Sequence, residues 1–193
     1  MYTAVILAGG SSRRMGRDKP ELLFNGKTFL QAAVDRFSEA FDEVYVSVAD
    51  EKKYSSVKAK RVVDIYPGCG PMAGLHAALL ACRGEGVFLV AADLPFSNPE
   101  AAKKMISLCQ NNDICIMMDS CGRYEPLFAY YRKTLLPDIE RLLKSGRYKM
   151  TELFANARMR IADKSELGQA WRDVMLVNIN YPDDYNRLIN GGK

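Results

Sequence analysis

Short apolar runs alternate with amphipathic stretches along most of this chain, and the two periods predict its elements. Tyr2–Leu7 is an apolar, β-branched run that stops at Gly9-Gly10, the pattern of a strand buried on both faces. Thr28 stands where a helix cap belongs, and Leu30, Val34, Phe37 and Phe41 then recur at the spacing of one helix face. Val44–Val48 predicts a second strand and Arg61–Val63 a third. Pro71 suits the first turn of a helix that continues through Leu75, Ala78 and Leu79. Val87–Ala91 predicts a fourth strand, Pro99–Leu108 a helix and Ile114–Met118 another strand.

Strands alternating with helices of this length predict an α/β fold whose mostly parallel sheet is covered on both faces. Ligands of such sheets bind beyond the carboxyl ends of the strands, which directs attention to the loops after the first and fourth strands. Past Gly122 the pattern changes. Pro126–Tyr131 predicts a strand, and Leu135, Leu136, Ile139, Leu142 and Leu143 mark an amphipathic helix. Met159–Ala162 and Met175–Ile179 predict further short strands, and Pro182 can open a terminal helix. No linker, repeat or low-complexity segment divides the sequence, so one domain over 1–193 is expected.

Composition narrows the function classes. With 193 residues, 48% of them hydrophobic and 26% charged, the chain is expected to be an ordinary soluble globular domain. Its longest apolar runs are strand-sized, far short of the roughly 20 residues a membrane helix needs. Met-Tyr-Thr enters an apolar run with no basic leader, so a cytoplasmic location is expected. The five cysteines are odd in number and form no CxxC pair, which predicts reduced thiols rather than disulfides or zinc. A net charge of +4 is mild for a nucleic-acid binder, and no nucleic-acid or membrane partner is expected.

The position of the charge says more than its sum. Arg13, Arg14, Arg17 and Lys19 crowd the loop that follows the first strand, next to Gly9 and Gly10. Glycines let backbone amides approach an anion, guanidinium and ammonium groups supply donors and charge, and such crowding repels itself unless an anion binds. The loop has neither the GxxxxGK[ST] nor the GxGxxG spacing, so it is no Walker loop or dinucleotide fingerprint.

Asp93 ends the apolar fourth strand just before Leu94-Pro95, at the sheet edge that faces the same crevice. A carboxylate so placed suits Mg²⁺, which takes one or two carboxylates plus substrate phosphates; capping the next turn is the plainer alternative. Tyr66–Leu75 is a glycine- and proline-rich turn into a helix, able to set backbone amides against a base or sugar, with Asp64 just before it. Asn178 and Asn180 alternate onto one face of a predicted strand, and Asn180 could complete a metal shell or cap the terminal helix. His76, the only histidine, falls inside a predicted helix and reads as structural. Cys121 lies near a turn with nothing beside it to activate a thiolate.

The string Leu7-Ala8-Gly9-Gly10-Ser11-Ser12-Arg13-Arg14-Met15-Gly16-Arg17-Asp18-Lys19 resembles the signature of the molybdenum cofactor guanylyltransferases. Gly70-Pro71-Met72-Ala73-Gly74, Asp93-Leu94-Pro95 and Val177-Asn178-Ile179-Asn180 follow in the family's order. The resemblance implies a three-layer Rossmann-like nucleotidyltransferase fold with a mostly parallel, mixed central sheet. It implies a nucleotide-binding half at about 1–120 and an acceptor-binding half at about 121–193. It further implies GTP as donor, Mg²⁺ as cofactor, and transfer of GMP to molybdopterin or its molybdenum-loaded form with release of pyrophosphate.

Carried onto this sequence, Leu7, Ala8, Gly9, Gly10 and Lys19 would contact GTP, Asp64 would lie near the nucleotide, and Asp93 would bind Mg²⁺ with support from Asn180. Arg14 and Lys19 would stabilise charge on the phosphates during an in-line attack. From position alone, after the nucleotide half, the stretch from Cys121 to Tyr148 is expected to take the pterin, with Arg123 and Tyr124 as candidates. One position departs from the family: the second strand ends Ser47-Val48-Ala49 where relatives carry an asparagine that helps hold the nucleotide. The alternatives are a transferase using CTP or another phosphorylated acceptor, and a non-catalytic carrier of the finished cofactor. A monomer is expected, with transient contacts to cofactor-biosynthesis or recipient proteins.

Overall fold

Buried side chains alternate along the strands and sort into two hydrophobic cores, one on each face of a seven-stranded sheet. The computed structural model describes residues 1–8, 18–119, 121–179 and 181–190. The chain opens with β1 (Thr3–Leu7), a two-stranded hairpin of β2 (Leu23–Phe24) and β3 (Lys27–Thr28), then α1 (Phe29–Ser38), β4 (Glu43–Val48) and β5 (Lys60–Val63). It continues with α2 (Pro71–Ala81), β6 (Gly86–Ala91), α3 (Pro99–Cys109), β7 (Ile114–Ile116), β8 (Phe128–Arg132) and α4 (Leu136–Lys144). Last come α5 (Met150–Leu153), β9 (Met159–Ile161), α6 (Lys164–Leu167) and α7 (Pro182–Asn190).

The strand order is β5-β4-β1-β6-β8-β7-β9. β5, β4, β1 and β6 run parallel, whereas β8 is antiparallel to both neighbours and β9 is parallel to β7. The sheet is therefore mixed but mostly parallel, as expected. In register, Leu7 sits opposite Ser47 on one side and Ala91 on the other, so three parallel strands end level. Ala4, Ile6 and Ala8 face the core that includes Leu30, Val34 and Phe37 of α1, and Val5 and Leu7 face the core that includes Met72, Leu75 and Leu79 of α2. The chain thus leaves β1 across one face and returns from β5 to β6 across the other.

Local chemistry explains the helix starts. Thr28 Oγ1 accepts from the Gln31 amide at 3.1 Å and caps α1, and Asn98 does the same for α3 through the Glu100 amide at 2.9 Å. α2 is buried along most of its length because the sheet lies beneath it and α4 packs over it. A Cβ at Gly74 would stand 2.4 Å from Ser47 Oγ and 2.7 Å from Leu7 Cδ2, so glycine lets α2 lie against the ends of β1 and β4 without displacing either side chain.

Three predicted strands change. β7 stops at Ile116 because the chain then pairs with its own return: the Glu125 amide donates to the Met117 carbonyl and Met118 bridges Tyr124. The Asp119 carboxylate closes that turn by accepting from the Cys121 and Arg123 amides. β8 begins at Phe128, since the Phe128 amide closes a turn onto Glu125 and Pro126 has no N–H to offer a ladder. Met175–Ile179 is not a strand. Asp173–Leu176 forms a 3₁₀ turn whose amides bond within it, and Ile179 donates its amide to the Asp93 carbonyl at 3.2 Å. The β2–β3 hairpin was not predicted; it turns on Asn25 and Gly26, both left-handed.

The far side of the sheet is tied by Asp113, whose carboxylate is buried. It accepts from the Thr134 hydroxyl at 2.8 Å and from the Arg158 guanidinium at 2.9 and 3.0 Å, while its carbonyl accepts from the Arg132 amide. The Arg158 guanidinium holds the Asp113 carboxyl well below the usual carboxylate range. A depressed folded-state pKa means stability that is present above the unfolded pKa and lost as pH falls through the folded one. Asp113→Asn is expected to lower stability by about 2 kcal/mol at pH 7. Denaturant titrations of both proteins should show the gap shrinking below about pH 4.

Candidate active site

Beyond the carboxyl ends of the four parallel strands lies a cleft of about 700 Å³. Its floor is the ends of β1 (Leu7, Ala8), β4 (Ser47, Ala49) and β6 (Ala91, Ala92). Lys19 and Asp93 stand on one side, Asp64, Gly68, Gly70 and Pro71 on the other, and Lys53, Tyr54 and Leu127 complete the walls. The site falls where connections diverge on either side of β1, the position at which open α/β sheets bind ligands.

Lys19 and Asp93, 74 positions apart, form an ion pair with Nζ 3.1 Å from Oδ2, partly screened from solvent on both sides. Asp93 is held by the turn after β6, where the Leu94 amide bonds the Ala91 carbonyl. The Asp93 carbonyl takes the Ile179 amide, so the segment leading to Asn180 is anchored beside Asp93 even though it is no strand. Ala8 is buried, with its amide donating to the Ser47 carbonyl at 3.2 Å and its carbonyl accepting from the Tyr54 hydroxyl at 3.1 Å.

At the other end, Asp64 follows β5 and its Oδ1 accepts from the Ser47 hydroxyl at 3.3 Å. Burial raises the Asp64 carboxyl, and the Ser47 hydroxyl partly offsets this. Three interstrand spacings separate β5 from β6, roughly 14 Å at about 4.8 Å each. That span separates a carboxylate edge at Asp64 from a cation-bearing edge at Lys19. Between them α2 points its uncapped N-terminus at the cleft, with Gly70 at φ +68° before Pro71, and the helix dipole favours negative charge there.

The structure therefore brings together Leu7, Ala8, Lys19, Asp64 and Asp93 from the candidates. Gly9, Gly10, Arg14 and Asn180 lie outside the described residues. Arg123 and Tyr124 do not line the cleft. The Arg123 guanidinium is exposed and paired with Asp119 at 2.7 Å, and the Tyr124 ring packs edge-on against Phe154 at 5.2 Å. His76 is buried inside α2, with Nε2 3.5 Å from Glu140 of α4 and its ring against Tyr66, in keeping with a structural reading.

Ser47, Lys53, Tyr54 and Leu127 were not picked out as cleft residues. Ser47 had a signal, since it stands at the departure from the family pattern; Tyr54 and Leu127 had none, because only folding carries them to the strand ends. Among the described residues no group of three or more His, Cys, Asp and Glu could cage a metal, and no helix is long and apolar enough to cross a membrane.

Known proteins share this sequence and architecture. Residues 4–161 match the family model of the MobA-like NTP transferase domain. A Natranaerobius thermophilus protein named "Probable molybdenum cofactor guanylyltransferase" is 35% identical over 94% of this chain and 92% of its own. The crystal structure of molybdopterin-guanine dinucleotide biosynthesis protein A from Archaeoglobus fulgidus superposes with a TM-score of 0.86, at 26% identity and 98% coverage of both chains. The 2-C-methyl-D-erythritol 4-phosphate cytidylyltransferase of Thermus thermophilus shares the fold at 13% identity, with a TM-score of 0.70 over 100% of this chain and 99% of its own. With a cleft at the strand ends, an ion pair on one of its sides and a family model spanning most of the sequence, the chain belongs to the MobA-like NTP transferase family and is a nucleotidyltransferase.

Proposed function

We propose that this protein transfers GMP from GTP to the terminal phosphate of molybdopterin, or of its molybdenum-loaded form, and releases pyrophosphate. The observation that carries the reading is the Lys19–Asp93 pair at the mouth of a cleft floored by β1, β4 and β6. The relatives' names supply the substrate pair.

The triphosphate belongs at the edge where Lys19 offers an ammonium, and the nucleoside extends toward Asp64, Gly68 and Gly70 at the start of α2. An oxygen of the acceptor phosphate attacks the α-phosphorus in line; the new O–P bond forms as the bond from that phosphorus to the β-phosphate oxygen breaks. The acceptor is already ionised at neutral pH, so no general base is required, consistent with His76 being buried inside α2. Lys19 neutralises charge that builds on the phosphates, and Arg14 is proposed to do the same.

Asp93 also suits Mg²⁺. Its carboxylate is partly exposed at the strand end, the kind of ligand a hard cation takes alongside phosphates and water. Asp93 would hold the ion, with Asn180 proposed in support, and bound there the ion would screen phosphate charge and orient the reacting groups. The stretch from Cys121 to Tyr148 is proposed to receive the pterin, with Arg123 and Tyr124 as its contacts.

Purified protein with Mg²⁺ and molybdopterin is expected to release pyrophosphate with GTP and not with CTP, ATP or UTP. Preference for CTP would reassign the donor, and silence with all four would sink the transferase reading for this acceptor. Asp93→Asn is expected to cut turnover by about 10²–10³-fold in the same assay, and near-normal rates would remove its metal role. Arg123→Ala should raise the KM for molybdopterin about fivefold, equivalent to roughly 1 kcal/mol; an unchanged value would take Arg123 out of the acceptor site.

A further inference from the structure

One phenol reaches both residues that flank segment 9–17. The Tyr54 hydroxyl lies 2.8 Å from Asp18 Oδ2 and 3.1 Å from the Ala8 carbonyl oxygen. Ala8 extends β1, and Asp18 immediately precedes Lys19, whose ammonium meets Asp93. A phenol has one proton to donate, and the carboxylate is both the nearer and the stronger acceptor, so the proton is shared unequally between the two oxygens. Burial and the Asp18 carboxylate push the Tyr54 phenol far above its ordinary range, which keeps it a protonated donor at neutral pH.

The tyrosine is itself held in place. Its backbone is left-handed at φ +55°, which a bulky residue adopts only where the surroundings impose it. Arg61 reaches from β5 to donate to the Tyr54 carbonyl at 2.9 Å and the Val57 carbonyl at 3.3 Å, and the Val57 amide also donates to the Tyr54 carbonyl. Val57 is buried in the α1-side core, so the whole turn is pinned to the sheet. Lys53 sets its ammonium 3.4 Å from Asp18 Oδ2. A turn anchored to β5 is thereby connected, through the Tyr54 hydroxyl, to the Ala8 carbonyl before the basic loop and to the Asp18 carboxylate after it.

We propose that Tyr54 is a positioning residue for the nucleoside triphosphate: its hydroxyl ties Ala8 to Asp18 and so fixes the backbone from which Lys19 reaches the cleft. The choice of ligand rests on the transferase reading above, whereas the tie itself does not. Tyr54→Phe keeps the ring and its packing and removes both hydrogen bonds.

In the ligand-free protein, amide hydrogen exchange of Tyr54→Phe is expected to speed up in peptides covering 18–22 while β4 and β5 stay as in the wild type. GTP titration should give a Kd about tenfold weaker, and steady-state kinetics a similarly raised KM for GTP with an unchanged KM for the acceptor. Asp18→Asn, which retains an acceptor oxygen for the phenol, should lose less affinity than Asp18→Ala. Exchange at 18–22 identical to wild type would overturn the tie, as would equal losses in the two Asp18 variants. Faster exchange throughout β4 and β5 would make Tyr54 a structural residue and overturn its positioning role. A wild-type protein that binds no nucleoside triphosphate would overturn the transferase reading and the ligand named here, with the exchange result still deciding whether the tie exists.

Discussion

Parallel pairing of β1 with β4 on one side and β6 on the other is the constraint from which the site follows. The chain crosses from β1 to β4 over one face and from β5 to β6 over the other, so nothing needs to pass over the strand ends between them. A crevice remains there by topology, before any side chain is considered. Gly74 lets α2 lie against Ser47 and Leu7 without displacing either side chain, and Gly70 and Pro71 at the start of α2 line the crevice.

Charge is then distributed along the crevice according to which strand delivers it. β1 leads through segment 9–17 to Lys19, β6 delivers Asp93, and β5 delivers Asp64 at the opposite end. The Lys19–Asp93 pair keeps two opposite charges together in a partly desolvated place, where neither alone would be comfortable, and leaves both where phosphates can meet them. Among its described residues the C-terminal segment meets Asp93 through the Ile179 amide rather than by joining the sheet. That bond also seats Ile179 in a small cluster with Leu22 and Phe29, which couples the segment after Lys19 to the segment before α7.

Much of this was legible in the residues. Period-two and apolar runs marked every parallel strand, the stripe from Leu30 to Phe37 marked the buried face of α1, which ends before Phe41, and Thr28 marked its start. The errors came where a short run had to find a partner. Ile114–Met118 and Met175–Ile179 have strand-like composition, yet whether a segment pairs depends on which edge is within reach, and a local pattern carries no information about that. The β2–β3 hairpin is the reverse case: Asn25-Gly26 is a local signal for a tight turn, and only the shortness of its strands concealed it.

The sequence by itself determined the α/β class, the Thr28 cap of α1 and the carboxyl-edge position of Asp93, because these depend on neighbours within a few positions of each other. It also put the candidate chemistry in view, since crowded cations beside glycines suit a phosphate and a carboxylate at a strand end suits a metal ion or a turn cap. Tertiary structure decided which of these groups meet. Lys19 and Asp93 are 74 positions apart, Tyr54 and Asp18 are 36 apart, and Ser47 and Asp64 are 17 apart. Each pair is brought together by segments that converge on the level strand ends of one sheet, an arrangement set by hydrogen bonding and core packing across the whole fold rather than by any local run of residues.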